Sequence, residues 1–278
     1  MEELELAQAL RAVRERGPLV QCITNIVTVN DCANIILAAG GSATMAHHVL
    51  EVEEAVAAVQ ALVLNLGAPD CGEAMILAGR RANALGIPVV LDPVAVGVTT
   101  LRRQLAARLL DEVRLTVIRG NASEIKALAR GGSSGSGVDV AAGDAVSETS
   151  LAGAAALAEN LSRRTGAVTV LSGPIDIVSN GTRTAALRNG SPTMARITGS
   201  GCMLTALTGA FCGALPQEPF LAACAAVAAM GVCGELAEER RLENGTGNAT
   251  FRNDLIDAVF NLTETQLIKG VRYEIYES

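Results

Sequence analysis

Four times along its first half, the chain follows a short apolar run with a segment whose apolar residues recur at helical spacing. The apolar runs cover residues 19–24, 61–66, 87–91 and 115–118; the helical segments after them cover 31–39, 71–85, 101–110 and 123–130. Runs that are apolar at nearly every position belong to strands covered on both faces. Strands that alternate with helices pair in parallel, because each crossover needs a helix. The pattern therefore predicts an α/β fold, three-layered α/β/α, with a mostly parallel central sheet. A helix is expected at 4–16, where Pro18 stops it, then a short extended stretch at 42–45 and a helix at 51–59. Further on come a low-complexity run at 131–137, a helix at 151–164 and a strand at 167–171. A hairpin follows at 176–178 and 182–187, around Asn180-Gly181. Helices are expected at 202–214, 219–241 and 253–268, the last two separated by a Gly/Asn-rich turn at 244–248. With no internal repeat and no domain-sized linker, residues 1–278 are expected to form a single domain.

Polar residues collect where the strands end: Asn25, Asn65, Asp92 and Arg119. Open α/β sheets bind ligands beyond the carboxyl ends of their strands, although the same residues also suit plain loops. A second polar feature opens the helix at 202–214. Gly199, Ser200 and Gly201 lead into it, and the free N–H groups of a first helical turn make an anion site. Cys202 sits at the mouth, where a helix N-terminus is expected to lower a thiol's pKa. The same spacing also fits an ordinary glycine-rich loop beside a buried cysteine.

Composition removes several alternatives. The formal net charge is −7, with four Phe, two Tyr and no Trp, so nucleic-acid binding is not expected. Seven cysteines without a C-x-x-C pair suggest a reduced, cytoplasmic protein with neither a disulfide framework nor a zinc site. The charged, helical N-terminus does not read as a signal peptide, and the apolar stretch 220–234 is too short to span a bilayer. His47 and His48 are the only histidines, which makes a Ser-His-Asp triad doubtful. Neither Lys126 nor Lys269 follows a G-x-x-x-x-G, so a Walker-type loop is absent. A literal G-x-S-x-G at 131–135 follows a helix rather than a strand, the wrong context for a nucleophile elbow. What remains is an anion hole, an arginine at a strand end, and the acids Asp92 and Glu124. That set suits phosphoryl transfer with magnesium, which asks for positioning and charge stabilisation. Taken singly, Glu124 could be a helix N-terminal acid and Asp92 a turn residue before proline.

Five blocks in order carry a resemblance. They are C-I-T-N-I-V-T at 22–28, T-M-A-H at 44–47, L-D-P-V at 91–94, I-R-G-N-A-S-E-I at 118–125 and T-G-S-G-C-M-L at 198–204. The sequence resembles the hydroxyethylthiazole kinases, the thiamine-salvage family of the ribokinase-like fold, over nearly its whole length. The resemblance implies ATP-dependent phosphorylation of the primary alcohol of 4-methyl-5-(2-hydroxyethyl)thiazole. It also implies a homotrimer with active sites between subunits. Met45 and Gly199 match thiazole contacts, with Asn25 and Val27 nearby. Arg119, Asn121 and Ser172 match the ATP side, Ser172 standing where the family commonly has Thr. Asp92 and Glu124 match ligands of Mg2+ or of its waters. Cys202 occupies the position of the catalytic Asp in most ribokinase-like enzymes. With the N–H groups of Gly199, Ser200 and Gly201 it is expected to orient or deprotonate the substrate hydroxyl. The runs at 131–137 and 244–251 depart from the family pattern, the first at the expected nucleotide lid. Rival expectations are another ribokinase-like vitamin-precursor kinase, an ATP-dependent hydrate dehydratase, or a nucleotide-binding regulator without catalysis.

Overall fold

The computed structural model describes residues 3–130 and 147–277. The first part of the chain runs α1 (Glu3–Arg16), β1 (Leu19–Ile23), α2 (Val29–Ala39), β2 (Ser42–Thr44), α3 (Val52–Val56), β3 (Ala61–Asn65) and α4 (Gly72–Leu85). Then come β4 (Val89–Asp92), α5 (Thr100–Glu112), β5 (Val117–Asn121), α6 (Ala122–Ala129), α7 (Leu151–Thr165) and β6 (Val168–Ser172). The last part is β7 (Asp176–Ser179), β8 (Arg183–Leu187), α8 (Ser200–Ala214), α9 (Pro219–Asn244), α10 (Asn248–Asn261), α11 (Glu264–Gly270) and β9 (Tyr273–Glu277).

These strands form one nine-stranded sheet in the order β2-β1-β3-β4-β5-β6-β7-β8-β9. The first six pair in parallel and the last three antiparallel. Alternating residues feed two cores, one on each face. Val20, Cys22, Val63 and Val90 face α1, α2, α8, α9 and α10. Ile23, Leu62, Leu64 and Leu91 face the opposite layer, α3 to α7. The three-layer ribokinase-like architecture is the one expected. Two antiparallel steps turn β8 back into line with β6. The carboxyl end of β8 therefore opens on the same edge as those of β1 and β3 to β6, at the far end of the row from Asn25.

Several boundaries differ from expectation. The helix expected at 51–59 shortens to Val52–Val56. The helix expected at 253–268 is two helices, broken at Leu262, and β9 follows as a strand that hydropathy did not reveal. Only Tyr273 and Ile275 of β9 turn toward the core, so the strand carries little apolar signal. Helix α9 has 26 residues, long and apolar enough to cross a membrane by length and composition. Burial of 83% of its most apolar window makes it a core helix instead. The G-x-S-x-G and the low-complexity run lie outside the described residues. Helix α1 packs on α9 and α11, tied by Arg11 to Glu264 at 2.5 Å.

Candidate active site

A cavity of about 1160 Å³ opens along the carboxyl edge of the sheet. The ends of β4, β5 and β6 deliver Asp92, Arg119, Asn121 and Ser172 to it, with Asn65 buried behind them. Asn65 closes β3 and is 1% exposed; its amide nitrogen donates to Asp92 Oδ2 at 3.1 Å and to Cys202 Sγ at 3.2 Å. Its oxygen accepts the Gly67 N–H at 2.8 Å and, at 3.4 Å, the amide of Asn25. Asn25 Nδ2 also reaches Cys202 Sγ at 3.5 Å. Asp92, at the end of β4, takes a further bond from Thr205 Oγ1 at 2.8 Å through the same oxygen, Oδ2. Its other oxygen, Oδ1, is buried with no partner among the described residues.

The start of α8 lies across the middle of this row. Its first intrahelical bond runs from Met203 N–H to the Gly199 carbonyl at 2.8 Å, so the N–H groups of Ser200, Gly201 and Cys202 precede the ladder. Gly199 sits at φ +84, and a Cβ there would come within 2.5 Å of Thr28 Cγ2. A Cβ on Gly201 would meet Arg119 Nη1, also at 2.5 Å. The second glycine thus lets a guanidinium lie against a helix N-terminus. Arg119 Nη2 donates to Ser172 Oγ at 2.5 Å, Nη1 stands 3.9 Å from Asp92 Oδ2, and Nε is buried without a partner among the described residues. A cation, three N–H groups and the positive end of a helix dipole converge here, an arrangement suited to phosphate.

Glu124 is held by its backbone. Asn121 caps α6 by accepting the Glu124 N–H at 2.9 Å, and Glu124 Oε2 accepts the Asn121 N–H at 2.8 Å. Its Oε1 accepts the Ala95 N–H at 3.0 Å. Ala95 has φ 57, the one positive φ outside glycine among the described residues. Such a backbone is costly for alanine and tends to mark functional loops. Burial, and then the Asp92 charge, push Glu124 up to about 7. Burial raises Asp92 too, against Arg119 and Thr205. Two carboxylates line the cavity, and the bare Oδ1 of Asp92 is an oxygen that a divalent cation or its water could take.

A family model described as "HK: Hydroxyethylthiazole kinase family" matches residues 10–265. The chain belongs to the hydroxyethylthiazole kinase family. A hydroxyethylthiazole kinase of Clostridium acetobutylicum is 48% identical over 273 residues, 98% of this chain and all of that protein. One from Desulfovibrio desulfuricans is 50% identical over 262 residues, 91% of this chain and 92% of that protein. The solved hydroxyethylthiazole kinase of Pyrococcus horikoshii superposes with TM-score 0.86 at 34% identity, covering 98% of this chain and 99% of that one. A Staphylococcus aureus pyridoxal kinase, 16% identical with TM-score 0.61, shares the fold.

Within this hydroxyethylthiazole kinase fold, the cavity is lined by Asn25, Val27, Asp92, Arg119, Asn121, Glu124, Ser172, Gly199, Ser200, Gly201 and Cys202. Met45 does not line it; it follows the edge strand β2 and packs on the core. The expected low thiol pKa at Cys202 is overturned. Burial, and then Asp92, push the thiol up, and bonds with Thr28 and Asn65 only partly oppose them. A helix N-terminus favours a thiolate, but partial burial and a neighbouring carboxylate work against it. Three contributors escaped the sequence reading. Thr205 gave no signal beyond its helical spacing. Asp176 was read as a strand residue, yet it lines the cavity and accepts the Gly173 N–H at 2.9 Å. The third is the loop after β8, whose Pro192, Met194 and Ala195 form a wall.

Proposed function

We propose that this chain catalyses in-line transfer of the γ-phosphoryl group of ATP to the primary alcohol of 4-methyl-5-(2-hydroxyethyl)thiazole, in thiamine salvage. The observation that carries it is the meeting of Arg119 with the bare N-terminus of α8, beside Cys202, in one cavity. Family membership supplies the substrate.

The alcohol lies toward Asn25, Val27, Gly199 and Cys202; the triphosphate lies toward Arg119, Asn121 and Ser172. The alcohol oxygen bonds to the γ-phosphorus as the bond to the ADP oxygen breaks, and the alcohol proton passes to an oxygen of the transferred phosphate or to water. Arg119 and the N–H groups of Gly199 to Cys202 receive the charge on the transferring group. Cys202, held by two amide donors and kept protonated at neutral pH, orients the alcohol rather than removing its proton. Asp92 and Glu124 would hold Mg2+ or its waters, an ion that neutralises phosphate charge when bound.

Met45 points to assembly. Ile26 is 91% exposed and Leu50 87%, and both flank the corner of the sheet where Met45 sits. A neighbouring subunit packed on that corner would bring its Met45 toward this chain's thiazole side, giving the trimer with shared sites. Free thiols at all seven cysteines suit a reducing, cytoplasmic setting.

The test is ADP release with ATP, Mg2+ and a panel of alcohols: the thiazole, a hydroxymethylpyrimidine and pyridoxal. Fastest turnover is expected with the thiazole. Faster turnover with either of the others would move the chain to another substrate.

A further inference from the structure

We propose that Glu235 of α9 is a positioning residue for the nucleotide, acting through the loop between β8 and α8. The proposal rests on the reading above, in which the triphosphate lies toward Arg119, Asn121 and Ser172, and adds that the nucleotide base lies at the β8 end of the cavity.

The loop at 188–196 forms the wall at that end. Its second part, Pro192–Arg196, is a 3-10 turn and the rest is irregular, so the segment has little backbone ladder of its own and would ordinarily be mobile. This one is fastened. Glu235 accepts the Gly190 N–H at 2.9 Å and the Asn189 amide at 3.1 and 3.2 Å. It also accepts from Arg272 Nη2 at 2.5 Å. Asn189, 7% exposed, donates further to the Gly270 carbonyl at 2.8 Å and accepts the Arg272 N–H at 2.7 Å. One carboxylate therefore ties the loop to the approach to β9.

The helix is cut to receive the loop. A Cβ on Gly231 would lie 2.6 Å from Asn189 Cβ, and one on Gly234 would lie 2.5 Å from Met194 Sδ. Positions 231, 234 and 235 share one helical face, so the two notches and the carboxylate act on the same stretch of loop. With the loop so seated, Pro192, Met194 and Ala195 share an apolar lining with Val227 and Met230. That end suits a flat, apolar heterocycle such as the base of a nucleotide. Glu235 itself does not line the cavity; it fixes the position of the wall that does.

The experiment measures kcat, the KM of ATP, the KM of the thiazole alcohol and hydrogen exchange of the 188–196 backbone in the full chain, for wild type, Glu235→Ala and Glu235→Gln. In Glu235→Ala the KM of ATP should rise about tenfold, the effect of losing a charge-assisted hydrogen bond. The KM of the alcohol and kcat should stay within about twofold. Exchange should quicken at 188–196. Glu235→Gln keeps an acceptor for Gly190 and should recover most of the ATP KM. Should the Ala variant not fold, the Gln variant decides, with about a threefold rise expected from loss of the charge alone. An unchanged ATP KM in a folded variant with faster loop exchange overturns the proposal, and so does an equal rise in both KM values. Arg119→Ala, run alongside, separates the two levels. If it leaves the ATP KM unchanged, the reading of the nucleotide end has failed, whatever Glu235 does.

Discussion

Cys202 shows how one residue's chemistry is set by its neighbours. Its place at a helix start argues for a thiolate, while its burial beside Asp92 argues for a thiol, and the thiol wins. A neutral thiol is a poor base, so its contribution is orientation. Cys202→Ala should therefore lose less kcat than the roughly 10²–10⁴-fold typical of a removed general base. The KM of the alcohol should change little, and steady-state kinetics at neutral pH check both. A loss within that range would restore the base role. Residue identity was legible in the sequence here, because a Gly-x-Gly-Cys loop at a helix start is a local pattern. Its ionisation was not, since Asp92 lies over a hundred positions away and only the fold brings it near. Thr205 and Asp176 escaped for the same reason: each is defined as a site residue by a partner or cavity that no local spacing encodes.

At the level of elements, the two glycines at the start of α8 do different work. Gly199 needs a left-handed backbone and has Thr28 against it; Gly201 has helical backbone and only the tip of Arg119 against it. Gly199→Ala should lower stability by more than about 1 kcal/mol, because backbone strain and a clash add. Gly201→Ala should keep its melting temperature within a few degrees of wild type, because a guanidinium can swing aside, yet lose ATP affinity. Thermal melts and the ATP KM of both variants check this; the reverse pattern would remove Arg119 from the anion site. Most of the parallel half of the sheet was legible because β1, β3, β4 and β5 carry largely apolar runs, whereas the edge strand β2 is only Ser-Ala-Thr. The C-terminal elements were less so. The break after α10 had a signal in Thr263 and Gln266, a capping box that closes on itself in the structure, masked by helical periodicity on either side. β9 had none, since it binds the sheet edge mainly by backbone.

The scale of the whole molecule decides whether the site is complete. One chain brings together every expected contact but Met45, and leaves Ile26, Val27 and Leu50 exposed on the corner beside it. Light scattering at micromolar concentration should give a trimer, and Leu50→Lys should lower both the mass and the turnover. A fully active monomer would remove Met45 from the site. Helix α1 carries a different consequence. It lies at the beginning of the chain, yet Arg11 holds Glu264 and Arg14 reaches the carbonyls of Val259 and Phe260. The apolar face of α1 must therefore wait in solvent until α8 and α9, roughly 200 positions later, have been synthesised and folded. Contacts so distant in sequence slow the search and leave hydrophobic surface open meanwhile. On the ribosome, α1 is expected to dock only once α8 and α9 have formed, and a chaperone would hold it until then.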